Sequence, residues 1–227
     1  MMLKTLASCL LAVGATSLAG VIAPAQAFTP FSLTQTFNNP SPAIGDIFGN
    51  SVSLSGTSAL IGAYLDDTGA SNAGSAYLFN TTTGALLQTF NNPSPASGDS
   101  FGNSVSLSGT LALIGTPFDD TGASNAGSAY LFNTTTGALL QTFNNPSPAS
   151  NDNFGNSVSV SGTSALIGAY QDDTGASNAG SAYLYQAPQE VQAVPEPSTI
   201  LGIGVVLGAL PVLRKKDVKR NKKKVVQ

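Results

Sequence analysis

The stretch Phe48–Phe79 reads FGNSVSLSGTSALIGAYLDDTGASNAGSAYLF, and it returns almost unchanged at Phe101–Phe132 and at Phe154–Tyr185. Followed outward, the copies widen to a 53-residue unit, because Phe37, Phe90 and Phe143 each open Phe-Asn-Asn-Pro-Ser-Pro-Ala. Between 37–89 and 90–142 only six of the 53 positions differ: Ile44, Ile47, Ser58, Ala63, Tyr64 and Leu65. The third copy spans 143–185. Copies this similar reflect recent duplication, so their agreement does not by itself mark a residue as functional. A fixed period of this length signals a repeat architecture in which each copy is one supersecondary unit stacked on the next.

Each unit reads as four short strands. Ser51-Val52-Ser53-Leu54-Ser55 alternates polar and apolar residues with period two, which suits a half-buried strand. Ala59–Ala63 is an apolar run closed by the turn signal Asp66-Asp67-Thr68-Gly69. Ser75–Phe79 and Leu86–Phe90 are two further β-rich runs joined by Asn80-Thr81-Thr82-Thr83-Gly84, the composition of a hairpin loop. No stretch of the repeats sustains a 3.6-residue period. The fold class is therefore all-β, with blade-like sheets of four antiparallel strands.

Phe48-Gly49-Asn50-Ser51-Val52, Ala59-Leu60-Ile61-Gly62-Ala63, Asp66-Asp67 and Gly74-Ser75-Ala76-Tyr77-Leu78-Phe79 together resemble an FG-GAP repeat, the blade of integrin α-subunit propellers and of many bacterial surface proteins. With the linking strands, the resemblance covers roughly 31–185. It implies a β-propeller and a surface binding role. Calcium-binding members of that family carry an Asp-rich loop between the first two strands. Here those loops are Ser55-Gly56-Thr57-Ser58, Ser108-Gly109-Thr110-Leu111 and Ser161-Gly162-Thr163-Ser164, so the family's Ca2+ site does not carry over.

Register adds one expectation. The third copy stops after Tyr183-Leu184-Tyr185 and lacks the strand Leu-Leu-Gln-Thr-Phe. Residues 31–37 align with 84–90 by the same 53-residue shift, so that segment is expected to supply the strand completing the last blade. Three blades fall short of the four to eight of known closed rings. Two chains forming a six-bladed homodimer, each completing the partner's last blade, compete with an open three-blade arc or a strained small ring.

The ends read as addresses. Residues 1–27 combine Lys4, an apolar run from Leu6 to Ile22 and the A-x-A site Ala25-Gln26-Ala27, the layout of a secretory signal peptide cleaved after Ala27. Cys9 sits too near the start of the apolar run for a lipid-attachment site, and the mature chain would hold no cysteine. After the repeat region 28–187 comes a linker, 188–199, carrying Pro195-Glu196-Pro197. An uncharged apolar segment follows at 200–213, expected, like the signal segment, to be a helix and here to serve as a transmembrane or sorting helix, and then a basic cytoplasmic tail at 214–227. This order resembles the PEP-CTERM sorting signal of Gram-negative bacteria and cyanobacteria. It implies an exosortase-type processing protease acting near Pro195, Glu196 and Pro197, and delivery to the cell surface or extracellular matrix. Fourteen residues fall short of the ~20 that span a bilayer comfortably. A plain membrane anchor with a basic cytoplasmic stop is the competing reading, and it too leaves the repeats outside.

Charge and composition narrow the chemistry. From Phe28 to Leu213 there are eleven acids and no Lys or Arg, and the chain has no His. An acidic body argues against nucleic acid as partner, because a polyphosphate must be neutralised by cations. The usual general base, thiol nucleophile and zinc ligands are missing from the repeats. The sharpest polar features are the pairs Asp66-Asp67, Asp119-Asp120 and Asp172-Asp173. They are candidates for a cation with Asn72, Asn125 or Asn178, or simply turn formers bonded to their own backbone. Asp46, Asp99 and Asp152 read as turn residues. Asn80 and Asn133 match the glycosylation sequon, although the sorting tail points to a bacterium. Tyr64, Tyr77, Tyr130, Tyr170, Tyr183 and Tyr185 would stack on glycans if exposed, but those in Ala-Tyr-Leu are expected to pack within the blades. A non-enzymatic binding or scaffold protein is expected, with matrix polysaccharide or a surface protein as partner. The alternatives are an extracellular hydrolase using the Asp loops, or a coat or spacer without a ligand.

Overall fold

The structure is a computed structural model that describes residues 29–188. The expected signal peptide, the Pro-Glu-Pro motif, the apolar 200–213 segment and the basic tail lie outside the described residues. Among the described residues eleven strands form three antiparallel sheets. Sheet 1 contains β1 (Phe48–Ser55), β2 (Ser58–Ala63), β3 (Ser75–Asn80) and β4 (Leu86–Asn91) in that spatial order. Sheet 2 repeats the arrangement with β5 (Ser104–Ser108), β6 (Leu111–Thr116), β7 (Ser128–Asn133) and β8 (Leu139–Asn144). Sheet 3 holds β9 (Phe154–Ser161), β10 (Ser164–Ala169) and β11 (Ser181–Gln186). Each sheet is a meander, its strands neighbouring one another in chain order, and the described residues contain no helix.

The middle strands explain the apolar runs. β2 and β6 are flanked on both edges and covered on both faces, so Ala59-Leu60-Ile61 and Ala112-Leu113-Ile114 are buried without alternation. The first strands lie side by side, β1 against β5 and β5 against β9. The fourth strands are outermost, with Leu86, Leu87, Leu139 and Leu140 exposed.

Successive sheets pack face to face. The downstream face of sheet 1 (Leu60, Ala76, Leu78, Phe90) meets the upstream face of sheet 2 (Val105, Leu107, Ala112, Ile114, Tyr130, Phe132) in one core. A second core joins Leu113, Ala129 and Phe143 of sheet 2 to Phe154, Val160, Ala165 and Ile167 of sheet 3. Each final Phe of a sheet stacks on the third-strand aromatic of the next, Phe90 on Phe132 and Phe143 on Tyr185.

Glycines allow the sheets to approach this closely. A Cβ at Gly62 would sit 2.0 Å from the carbonyl oxygen of Gly102, and one at Gly115 would sit 1.9 Å from that of Gly155. Only hydrogen fits at either position. Serines bridge the same seam. Ser51, Ser53 and Ser55 accept bonds from the N–H groups of Val105, Leu107 and Gly109 at 2.9–3.0 Å. Ser104, Ser106 and Ser108 accept in the same way from Val158, Val160 and Gly162.

In the single chain the segment 31–37 joins no ladder, and among the described residues sheet 3 ends at β11. Its placement explains why. Phe37 stacks on Phe79 with ring centroids 5.0 Å apart, repeating the 5.0 Å contact of Phe90 on Phe132. Gln35 lies against Gly84 as Gln88 lies against Gly137. Residues 33–37 thus take the station of a fourth strand preceding sheet 1, and among the described residues no third strand lies beside them.

Candidate functional site

Two sets of long connections emerge at the same end of the sheets: those from the second strand to the third, and those leading into the next sheet. They are tied together by backbone bonds. The N–H groups of Gly98, Ser100 and Phe101 donate to the carbonyls of Ser71, Asn72 and Ala73. Asn151, Asn153 and Phe154 repeat these bonds to Ser124, Asn125 and Ala126. The outcome is one continuous loop surface carrying every Asp of the repeats.

The first Asp of each pair is buried and the second exposed. One oxygen of Asp66 accepts the N–H of Thr68 at 2.8 Å, forming an Asx turn, and the other accepts the Tyr77 hydroxyl at 2.8 Å. Asp119 is held likewise by Thr121 and Tyr130, and Asp172 by Thr174 and Tyr183. The exposed partners Asp67, Asp120 and Asp173 accept the N–H of Asn72, Asn125 and Asn178. Asn72, Asn125 and Asn178 stand at positive φ, near 50°. That conformation is tolerated by Asn and helps reverse the chain. The pairs therefore build the loop from its own donors.

Burial shapes the ionisation of these groups. It opposes the charge on Asp66, but bonds from Thr68, Tyr77 and Ser75 outweigh it and hold the carboxyl below the usual range. The same balance, with Thr174, Tyr183 and Ser181 as donors, takes Asp172 down to about 2. Burial and the neighbouring carboxylate push Tyr77 and Tyr130 above the ordinary tyrosine value, and Tyr183 up to about 12.

Asp46, Asp99 and Asp152 fasten the entry loops. Asp99 accepts from the Asn92 side chain at 2.8 Å and from the Ala96 N–H at 2.7 Å, and Asp46 and Asp152 repeat the pattern. Burial and the charges of Asp119 and Asp120 raise Asp99, against the lowering effect of its hydrogen bonds. Asp99, Asp119, Asp120, Ser94 and Thr121 border a cavity of about 210 Å³. Asp152, Asp172, Asp173, Ser147 and Thr174 border its counterpart of about 220 Å³. The structure thus brings Asp99 and Asp152 to the paired acids of their own copies, a juxtaposition that sequence spacing did not reveal.

Among the described residues no cluster of three or more His, Cys, Asp or Glu is arranged to hold a metal ion. Tyr77 and Tyr130 are buried within the sheets, Tyr183 and Tyr185 pack against the second core, and Tyr170 is exposed. Asp67, Ser71 and their counterparts Asp120, Ser124, Asp173 and Ser177 form the exposed polar part of the loop surface. An acidic, hydroxyl-bearing surface of this kind suits hydrogen bonding to polyhydroxylated or neutral polar partners.

The FG-GAP repeat family model matches three segments, 40–79, 93–132 and 146–185, which together exceed half of the chain. They coincide with the three sheets up to the end of each third strand. No curated protein sequence matches the chain.

Proposed function

Because the chain belongs to the FG-GAP repeat family, we propose that it is an exported, non-enzymatic binding or scaffold protein of the cell surface or extracellular matrix. The observation that carries this reading is the loop surface: three near-copies of one exposed polar contact set, all at one end of rigid sheets. Each copy binds weakly and their simultaneous engagement multiplies affinity, so a partner with repeating chemistry, such as matrix polysaccharide, is favoured. The buried acids support a non-catalytic role, since Asp66, Asp119 and Asp172 spend both oxygens on the turn and the tyrosine. Export through the 1–27 leader and processing near Pro195-Glu196-Pro197 by an exosortase-type protease belong to the same proposal, with transient membrane attachment through 200–213.

Two measurements test it. Intact mass of the protein from host matrix should give a form beginning at Phe28 and ending near Pro195. A membrane form retaining Lys222–Gln227 would instead make the tail a permanent anchor. Retention of the full chain on the host's matrix polysaccharide should fall slightly when Asp67 alone is changed to Ala. Changing Asp67, Asp120 and Asp173 together should lower it by more than the product of the single effects. Equal retention of the triple variant would overturn the loop surface as the binding face.

A further inference from the structure

Each end of the sheet stack leaves open part of a face that is covered inside it, although Ile61, Tyr77 and Phe79 at the upstream end are buried against Phe37 and Phe48. On the upstream face of sheet 1, Val52 and Leu54 are 65% and 72% exposed, while their equivalents Val105 and Leu107 in sheet 2 are each 6% exposed. On the downstream face of sheet 3, Leu166 and Leu184 are 45% and 61% exposed, while Leu60 and Leu78 in sheet 1 are 0% and 2% exposed. The surface left open at one end is therefore the surface that, within the chain, covers the face left open at the other.

Three further features match across this gap. The serine ladder stops with Ser157, Ser159 and Ser161 exposed on β9, while Val52, Leu54 and Gly56 on β1 occupy the positions whose N–H groups donate to such serines in sheets 2 and 3. The close-approach glycine of sheet 3, Gly168, meets nothing nearer than 3.6 Å, although Gly62 and Gly115 each touch the following sheet. Among the described residues β11 has no fourth strand beside it, as β3 and β7 have β4 and β8, while Gln35 and Phe37 stand at the other end in a fourth strand's station. Such an edge offers unpaired N–H and C=O groups to another chain.

We propose that a second copy of this chain docks head to tail, its sheet 1 against sheet 3 of the first, with its residues 31–37 pairing along β11 as the missing fourth strand. Ser157, Ser159 and Ser161 then accept the partner copy's Val52, Leu54 and Gly56 N–H groups. Leu166, Ala182 and Leu184 bury Val52, Leu54 and Phe37 of the partner copy. A head-to-tail contact is heterologous, and it closes when the rotation between units divides the circle. Two copies supply six sheets, within the range of closed rings, where three alone do not. This inference is independent of the binding role proposed above, since it concerns the purified chain alone.

The test uses the full chain in a Cys9→Ser background. Within the chain Val105 and Ser51 face each other across the seam, so chains carrying Val52→Cys and chains carrying Ser157→Cys should form a mixed disulfide when combined and oxidised. Neither variant alone should cross-link comparably. Sedimentation should give a dimer mass well above micromolar concentration. Leu184→Lys or Leu54→Asp alone should weaken association at least tenfold without loss of folding, because both side chains are exposed in the single copy. Mixing these two variants should restore it. A monomer mass for the unsubstituted chain would overturn the proposal. So would undiminished association of both charge variants, which would place the contact elsewhere.

Discussion

Sheet 2 and the two end sheets are written in nearly the same residues, yet they are not equally folded in. Leu113 is 0% exposed and its equivalent Leu166 is 45% exposed; Val105 is 6% exposed and Val52 is 65%. The local sequence decides that each stretch is a strand and which residues share a face. Whether that face is core or surface depends on whether another sheet covers it. In a stack where each unit touches only its neighbours, stability is a sum of unit and interface terms, and the end units lack one interface each. Sheet 2 shares a core with a sheet on each side, whereas sheets 1 and 3 each share a core with one sheet.

Truncating the same leucine in the two settings gives the largest contrast. Leu113→Ala removes a side chain from between sheets 2 and 3 and should destabilise by about 2–5 kcal/mol. Leu166→Ala should cost under about 1 kcal/mol in the single copy, because much of the side chain is already in water. Denaturant midpoints of the two variants measure the difference. If head-to-tail docking holds, the gap narrows as protein concentration rises, since Leu166 then becomes core.

Alanine at the close-approach glycines comes next. At Gly115 the new Cβ meets backbone, not a yielding side chain, so sheets 2 and 3 must separate at a cost of about 1–3 kcal/mol. At Gly168 there is room, and removal of glycine's backbone freedom should leave stability level or raise it by up to about 1 kcal/mol. Thermal unfolding of both variants checks the sign. A destabilised Gly168→Ala variant at low concentration would mean that sheet 3 already has a neighbour.

These contrasts also show where the sequence stops being informative. Strands β1 to β4 were legible because Ser51–Ser55 alternates, Ala59–Ala63 is a short apolar run, and Asn80–Gly84 has the composition of a hairpin. The serine ladder was not legible. A serine in an alternating strand looks like a residue facing water, and its acceptor role appears only when a second sheet lies 54 residues further on. The Tyr-to-Asp bonds had a weak signal, an Asp followed eleven residues later by Tyr in every copy, but near-identity between copies makes any such spacing recur. Residues 33–37 repeat Leu86–Phe90 at four of five positions and still join no ladder in the single chain, because a strand needs a neighbour with which to pair its backbone.

Thr116 gives a smaller contrast. It replaces Ala63 and Ala169 of the neighbouring copies and is fully buried, with its hydroxyl oxygen unpartnered. Thr116→Val keeps the shape and removes the stranded polar group, so it should stabilise by about 1 kcal/mol. An unchanged or lower denaturant midpoint would show that the hydroxyl is satisfied in solution.

The smallest expected effects come from pH, and they distinguish the copies through their Asp-to-Tyr bonds. Asp172 titrates at about 2 when folded against 3.8 unfolded, so its contribution is complete above 3.8 and is lost as pH falls through about 2. Asp66 is lowered too, and its contribution fades in the same direction. Tyr183 behaves oppositely. Its hydroxyl is pushed from 10.0 up to about 12, so it stabilises fully below pH 10 and ceases to do so as pH rises through about 12. The cause is the same bond seen from its other end: burial and the charge of Asp172 both disfavour a tyrosinate there. Asp172→Asn should therefore flatten the acid limb of the stability profile and bring the Tyr183 titration back toward its ordinary value. Because Tyr183 sits in the half-covered end sheet and Tyr130 between two covered faces, tyrosinate absorbance should reach the Tyr183 step first. A titration in which Tyr130 ionises before Tyr183 would mean that sheet 3, not sheet 2, is the better covered in solution, as docking of a second copy would make it.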